Sequence, residues 1–237
     1  MTATEILADR DAVIEHVSDR AVSLLAELTA ARERVDVCLT GGTVGIGVLA
    51  AIALHPQTSK IDLARIHWWW GDERFVAADS DDRNEKQARE ALLDVLGVDE
   101  SRINALPASD EGLSLEQGAT AAANELEEAT PFALTFLGLG PDGHVASLFP
   151  GHPAASAEGP GVMAVTDSPK PPPERLSMTL ETINASERIW IAAAGADKAD
   201  AVAAVMQRPG TQPVPGGSVS GTQETLLFAD EAAASQL

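Results

Sequence analysis

The sequence predicts one α/β domain over residues 1–237, built on a largely parallel sheet with helices on both faces. Two observations carry that prediction. Short apolar runs alternate along the chain with longer stretches whose apolar residues recur at helical spacing, the order that builds a parallel sheet covered on both sides. Turn chemistry separates these segments, and neither a repeat period nor a linker-like tract divides the 237 residues.

The elements follow in order. Ile14, Val17, Ala21, Leu24, Leu25 and Leu28 share one side of a helix over 9–32. VDVCLT at 35–40 is a short buried strand running into GGT, and VGIGVLAAIAL at 44–54 is a helix ended by Pro56. RIHWWWGDE at 65–73 is a β-rich run that stops at Gly71, its three tryptophans split between the two sheet faces. Ala88, Ala91, Leu92 and Val95 mark the apolar side of a helix over 83–96, and a further helix covers 114–129. FALTFLGLG at 132–140, GVMAVTD at 161–167 and ERIWIAAAG at 187–195 are strands, the last leading into a helix over 196–207. ETLLFAD at 224–230 is expected as a final, edge strand. The proline cluster SPKPPPE at 168–174 has the length of an active-site loop rather than of a linker.

Composition removes several classes of function. A net charge of −20 argues against nucleic acid and anionic membrane as partners. Cys38, the single cysteine, lies in an apolar run, so no disulfide forms within the chain and a reducing compartment is expected. The N-terminus lacks the basic and apolar regions of a secretory signal, and nowhere do eighteen apolar residues run together. A cytoplasmic protein is the expectation. With 16 Lys and Arg against 36 Asp and Glu, an anionic ligand would need cations gathered in one cleft.

Ligands of such sheets bind beyond the carboxyl ends of the strands. Four loaded segments stand there: TGGT, GDER, GPDGH and GADK. Gly138, Gly140 and Gly143 spell G-x-G-x-x-G, yet a dinucleotide needs bare amides and a continuous helix behind them. Here Pro141 lacks an N–H, Asp142 brings a carboxylate, and Pro150, Gly151 and Pro153 interrupt any helix. What PDGH supplies is Asp142 and His144 two residues apart; in extended chain the two point to one side, so the carboxylate steadies an imidazole suited to general base work. The competing reading has Asp142 cap a helix at 143–148 while His144 packs passively.

Gly41, Gly42 and Thr43 form a phosphate nest or an ordinary strand-to-helix turn; no Gly-Lys-[Ser/Thr] follows to make a P-loop. Asp72, Glu73 and Arg74 follow a strand end, and Arg74 is a fork donor on a rim where cations are scarce. No metal is expected: DSDD at 79–82 lacks the Gly and spacing of a calcium loop and reads as a solvated cap, and His67 with Asp72 completes no tetrahedron. His16, His55 and His152 are read as structural too. The proline loop presents Lys170 and Arg175. Lys198 opens a helix, where its charge opposes the dipole unless an anion binds. With no G-x-S-x-G elbow and Cys38 buried, a covalent hydrolase finds no nucleophile.

Taken together, LTGGT, WWWGDERFV with DDRN, LGLGPDGHVASLFPGHP, PKPPPERLSMTLETIN and GADKA resemble the 6-phosphogluconolactonase family, in order over residues 10–230. The superfamily also holds glucosamine-6-phosphate deaminase and isomerase. The resemblance implies a Rossmann-like sheet and hydrolysis of 6-phospho-D-glucono-1,5-lactone to 6-phosphogluconate, without metal or organic cofactor. It implies that Gly41, Gly42, Thr43, Arg175 and Lys198 hold the phosphate, and that His144 deprotonates a water with Asp142 orienting it. Arg74 would contact the sugar or the developing oxyanion; Asp72, Asn84 and Lys170 are further substrate contacts or shape-givers. The deaminase turn carries a glutamate five residues after the histidine, where this chain has Phe149. Ala78 and Asp82 stand where a Pro and a His are more usual. The implied partner is a small sugar-phosphate lactone, and the implied assembly a monomer or small homo-oligomer. The alternatives are a phosphosugar isomerase or deaminase, and a non-catalytic sugar-phosphate sensor, which usually carries a DNA-binding helical module.

Overall fold

Every residue of the strand Val35–Leu39 (β2) is buried, as a strand must be when both faces of its sheet are covered. In this computed structural model, which describes residues 2–127, 129, 131–207 and 211–237, β2 lies inside a six-stranded parallel sheet. The other members are Ala3–Leu7 (β1), Ile66–Trp70 (β3), Leu134–Gly138 (β5), Arg188–Ala193 (β8) and Glu224–Asp230 (β9), in the order β1-β9-β8-β5-β2-β3. Asp72–Arg74 (β4), Val162–Val165 (β6) and Arg175–Met178 (β7) make a separate antiparallel sheet in the order β4-β7-β6.

Side-chain alternation sorts the core into two layers. Val37, Leu39, Trp68 and Trp70 face the helices Arg10–Ala31 (α1) and Gly42–Leu54 (α2). Cys38, Trp69, Leu137 and Ile191 face the other way, against the helices Leu180–Asn184 (α5) and Ala199–Val205 (α6). The tryptophans are therefore divided between faces, as expected. Helix α1 starts where Asp9 accepts from the Ala12 N–H at 2.9 Å. Leu115–Leu126 (α4) opens with a reciprocal Ser114–Gln117 capping box and packs on β6 and β7.

Four expectations are corrected. Residues 224–230 are not an edge: β9 pairs with β8 on one side and with the unforeseen β1 on the other. The run 65–73 is split, because Gly71 N donates to Leu39 O while Gly71 O accepts from Met178 N, handing the chain from one sheet to the next. Residues 162–165 and the unforeseen strand β7 belong to that second sheet. The helix over 83–96 is α-helical at Asn84–Ala88 (α3) and then widens into a π turn at Arg89–Leu93.

The chain builds β3 on one side of β2 and then β5, β8 and β9 on the other. The reversal leaves a crevice between the carboxyl ends of β2 and β5.

Candidate active site

At that crevice Thr40 Oγ1 accepts from Gly138 N at 3.3 Å, tying the two strand ends together. Gly41 is the N-cap of α2, and no side chain caps this helix, so its first amides stay open to the cleft. A Cβ on Gly41 would collide with the Asn84 side chain, so the close approach of α3 demands glycine there. Thr43 departs from expectation: it is exposed and absent from the cleft wall.

Beyond β5 the chain folds into a tight turn rather than the extended dipeptide expected. Gly140 N donates to His144 O and Gly143 N to Gly140 O, both at 2.9 Å, with Gly143 at φ +83°. No helix forms at 143–148; Val145 and Leu148 make a single antiparallel bridge, which removes the capping reading of Asp142. Asp142 Oδ1 instead accepts from His144 Nδ1. That bond fixes the tautomer and leaves Nε2 with the lone pair. Burial pushes the His144 imidazole below its ordinary value although Asp142 pulls the other way, so the ring is neutral at neutral pH. Burial alone would raise Asp142, but the hydrogen bond and charge of His144 carry it below the usual carboxylate range. A Cβ on Gly140 would fall onto this pair. Beneath it lies Phe149, 1% exposed, its ring 4.4 Å from the imidazole, while the Arg175 guanidinium sits 5.5 Å over the same ring.

The small sheet delivers Asp72, Arg74 and Arg175. Antiparallel pairing sets Arg74 opposite Arg175 and Asp72 opposite Ser177. Two like charges in register repel, and buried carboxylates offset this. Asp72 Oδ2 accepts from Ser147 Oγ at 2.6 Å. Glu73, fully buried, accepts the N–H groups of Arg74, Asn84 and Glu85 at 2.7–2.8 Å and so fixes the start of α3. Burial pushes its carboxyl up to about 7, against the pull of Arg83 and these three donors. Asn84, anchored by Nδ2 to Asp72 O at 2.9 Å, accepts in turn from Arg74 Nη1.

The cleft encloses about 260 Å³ and brings together Gly41, Gly42, Asp72, Arg74, Asn84, His144, Lys170, Arg175 and Lys198. Lys170 is driven below its ordinary value by burial, with Lys198 and Arg175 as like-charged neighbours and Asp142 opposing them. Lys198 ends a 3-10 turn immediately before α6, and its Nζ lies 3.3 Å from Asp197. Thr40, Gly138, Leu139, Gly140, Ala146 and Pro171 complete the wall, and Ser147 stands behind it; nothing in the residue types of Ala146 and Ser147 marks them in the sequence. Among the described residues no three His, Cys, Asp or Glu side chains are gathered for a metal, and no helix is long and apolar enough to cross a membrane.

Comparison with known proteins adds three findings. The family model described as glucosamine-6-phosphate isomerases/6-phosphogluconolactonase matches residues 8–228. A 6-phosphogluconolactonase of Streptomyces coelicolor is 42% identical over 97% of this chain and 92% of its own, and one of Mycobacterium leprae 40% over 99% and 98%. Among solved structures, a 6-phosphogluconolactonase from Thermotoga maritima superposes with a TM-score of 0.85 at 25% identity, over 97% of this chain and 100% of the other. A monomeric glucosamine-6-phosphate deaminase shares the fold at 17% identity, with a TM-score of 0.83 over the full length of both chains. On that match, and on a fold and cleft of the kind described, the chain belongs to the glucosamine-6-phosphate isomerase/6-phosphogluconolactonase family.

Proposed function

We propose that this protein hydrolyses 6-phospho-D-glucono-1,5-lactone to 6-phosphogluconate, the second step of the oxidative pentose phosphate pathway. The observation that carries the mechanism is a half-buried, neutral His144, oriented by Asp142, on the wall of a cleft that also gathers Lys170, Arg175 and Lys198. The phosphoryl group is drawn to those cations and to the open amides of Gly41 and Gly42. His144 Nε2 takes a proton from water while the oxygen adds to the C1 carbonyl. The tetrahedral intermediate collapses by breaking the bond from C1 to the ring oxygen, which takes the proton back from the imidazolium. The acid product then ionises. Arg74, steadied by Asn84, is the donor for the developing oxyanion.

Water attack suits a site without an activated nucleophile: burial raises the Cys38 thiol far above its ordinary value. Phe149 bears on the isomerase alternative. Where that chemistry uses a carboxylate relay, this chain buries an aromatic ring in contact with His144. The test is lactone consumption on freshly generated substrate, corrected for spontaneous opening. A rate equal to background, or ammonia release from glucosamine 6-phosphate, would overturn the reading.

A further inference from the structure

The guanidinium of Arg175 is less available than its place on the cleft wall suggests. Its Nε donates to Pro172 O at 3.2 Å, Nη2 to Lys170 O at 3.1 Å and Pro171 O at 3.3 Å, and Nη1 to Ser147 Oγ at 3.5 Å. Of the five N–H donors of a guanidinium, one on Nη1 is left. A bidentate grip on a phosphoryl group needs two parallel N–H groups from one edge. Both edges of the fork include Nη2, and Nη2 is spent on backbone carbonyls. Arg175 is also 5% exposed, with one flat face covered by Phe149.

The loop it grips explains why. Pro171, Pro172 and Pro173 carry no N–H, so three consecutive residues supply acceptors without donors. The loop therefore offers more acceptors than donors; Arg175 meets the carbonyls of Lys170, Pro171 and Pro172, and Ser168 N meets that of Pro173. The remaining local bonds run through Ser168, whose Oγ donates to Lys170 O at 2.9 Å and accepts from Lys170 N at 3.3 Å. Lys170 is the residue this scaffold aims at the cleft.

We infer that Arg175 is a positioning residue: it clamps the 168–173 loop so that Lys170 meets the phosphoryl group, instead of gripping that group itself. The inference rests on the lactonase reading for the identity of the ligand. The direct cationic contacts are then Lys170 and Lys198, with Arg175 adding its field and one N–H.

A double-mutant cycle separates a clamp from a contact, because residues acting in series are not additive. The variants are Arg175→Lys, which keeps the charge but loses the fork, Lys170→Met, and the two together. For each, KM, kcat and binding of 6-phosphogluconate and of inorganic phosphate are measured, with hydrogen exchange at the Ser168 and Lys170 amides. Each single change should raise KM and both dissociation constants about ten-fold with a smaller change in kcat. Once Lys170→Met is in place, adding Arg175→Lys should weaken binding by less than about two-fold more. Exchange should accelerate in Arg175→Lys and not in Lys170→Met. Multiplying effects, or unchanged exchange, would overturn the inference. If Arg175→Lys does not fold, Ser168→Ala loosens the same loop and should weaken binding only while Lys170 is present; equal weakening in both backgrounds refutes the clamp. Binding does not depend on turnover, so a protein that takes up both anions yet opens no lactone would refute the lactonase reading while leaving the clamp tested.

Discussion

The central strands of the two sheets are buried, yet they bury different chemistry. In the six-stranded sheet, β2 and β8 present apolar side chains to both layers, and the one acid of β2, Asp36, is held by Trp69 and Arg34 at the end of the strand away from Gly41. In the three-stranded sheet, β7 buries Arg175 and Ser177 while β4 buries Asp72 and Glu73. Removing an ion from water carries a penalty of several kcal/mol unless partners compensate, and here the partners are one another. The large sheet gives the site what strand ends give whatever their composition: open amides, tight turns and a crevice. The turns after β5 and β8 also carry His144 and Lys198 to it. The small sheet adds the charges that are buried within strands, Asp72, Glu73 and Arg175. Injury to the packed strands of the first should therefore appear in stability, and injury to its rim turns or to the second sheet in binding and turnover.

That contrast can be broken at several points, the most sensitive being the turn after β5. His144→Ala should lower kcat by on the order of 10²–10⁴, the usual contribution of a general base. It should leave the melting temperature close to wild type, and turnover within a factor of a few would remove the histidine from the mechanism. Leu39→Ala, at a fully buried position of β2, should cost about 2–5 kcal/mol in denaturant unfolding. The protein that remains folded should keep its KM; a large change in KM would mean that the large sheet shapes the site through its side chains as well.

Glu73→Gln sits between these cases. It puts an amide N–H where a buried oxygen accepts, so a loss of about 1–3 kcal/mol is expected, together with a raised KM because Asn84 and Arg74 lose their anchor. A stability loss with unaltered KM would separate the small sheet from the site. The pH profile gives a smaller and more specific signal. Catalysis needs neutral His144, so kcat/KM should fall as pH drops through its pKa, which burial places below the ordinary 6.5. Asp142 opposes that depression, and Asp142→Asn should move the acid limb to still lower pH while reducing kcat; a limb moving upward would contradict the pairing. Thr43→Ala should change binding by less than about 0.5 kcal/mol, since the hydroxyl is exposed and off the wall. A larger loss in calorimetric titration would restore the hydroxyl to the site.

Legibility followed the same division. The strands β2, β5 and β8 stood out because both their faces are apolar, and the pairing of Asp142 with His144 was readable because two residues of chain keep the groups within reach. Strand β7 was hidden: Arg-Leu-Ser-Met after a proline cluster looks like loop, and only the hydrogen bonds to β4 and β6 make it a strand. Strand β1 is too short to show a period, and without it β9 looked like an edge. Ser147 was invisible as part of the site, and Glu73, though it stands in the GDER segment, gave no sign of its role, because both act only toward residues distant in sequence or toward backbone amides.

The sequence by itself determined the parallel sheet, the glycine turns at its rim and the histidine–aspartate pair, since each depends on patterning or on neighbours held together by a few peptide bonds. Tertiary structure alone decided which cations reach the cleft with donors to spare. Arg175 and Lys170 look alike as loop cations in the chain, but a guanidinium's hydrogen bonds are allotted by whatever the fold packs around it, and here the fold packs the carbonyls of the proline loop.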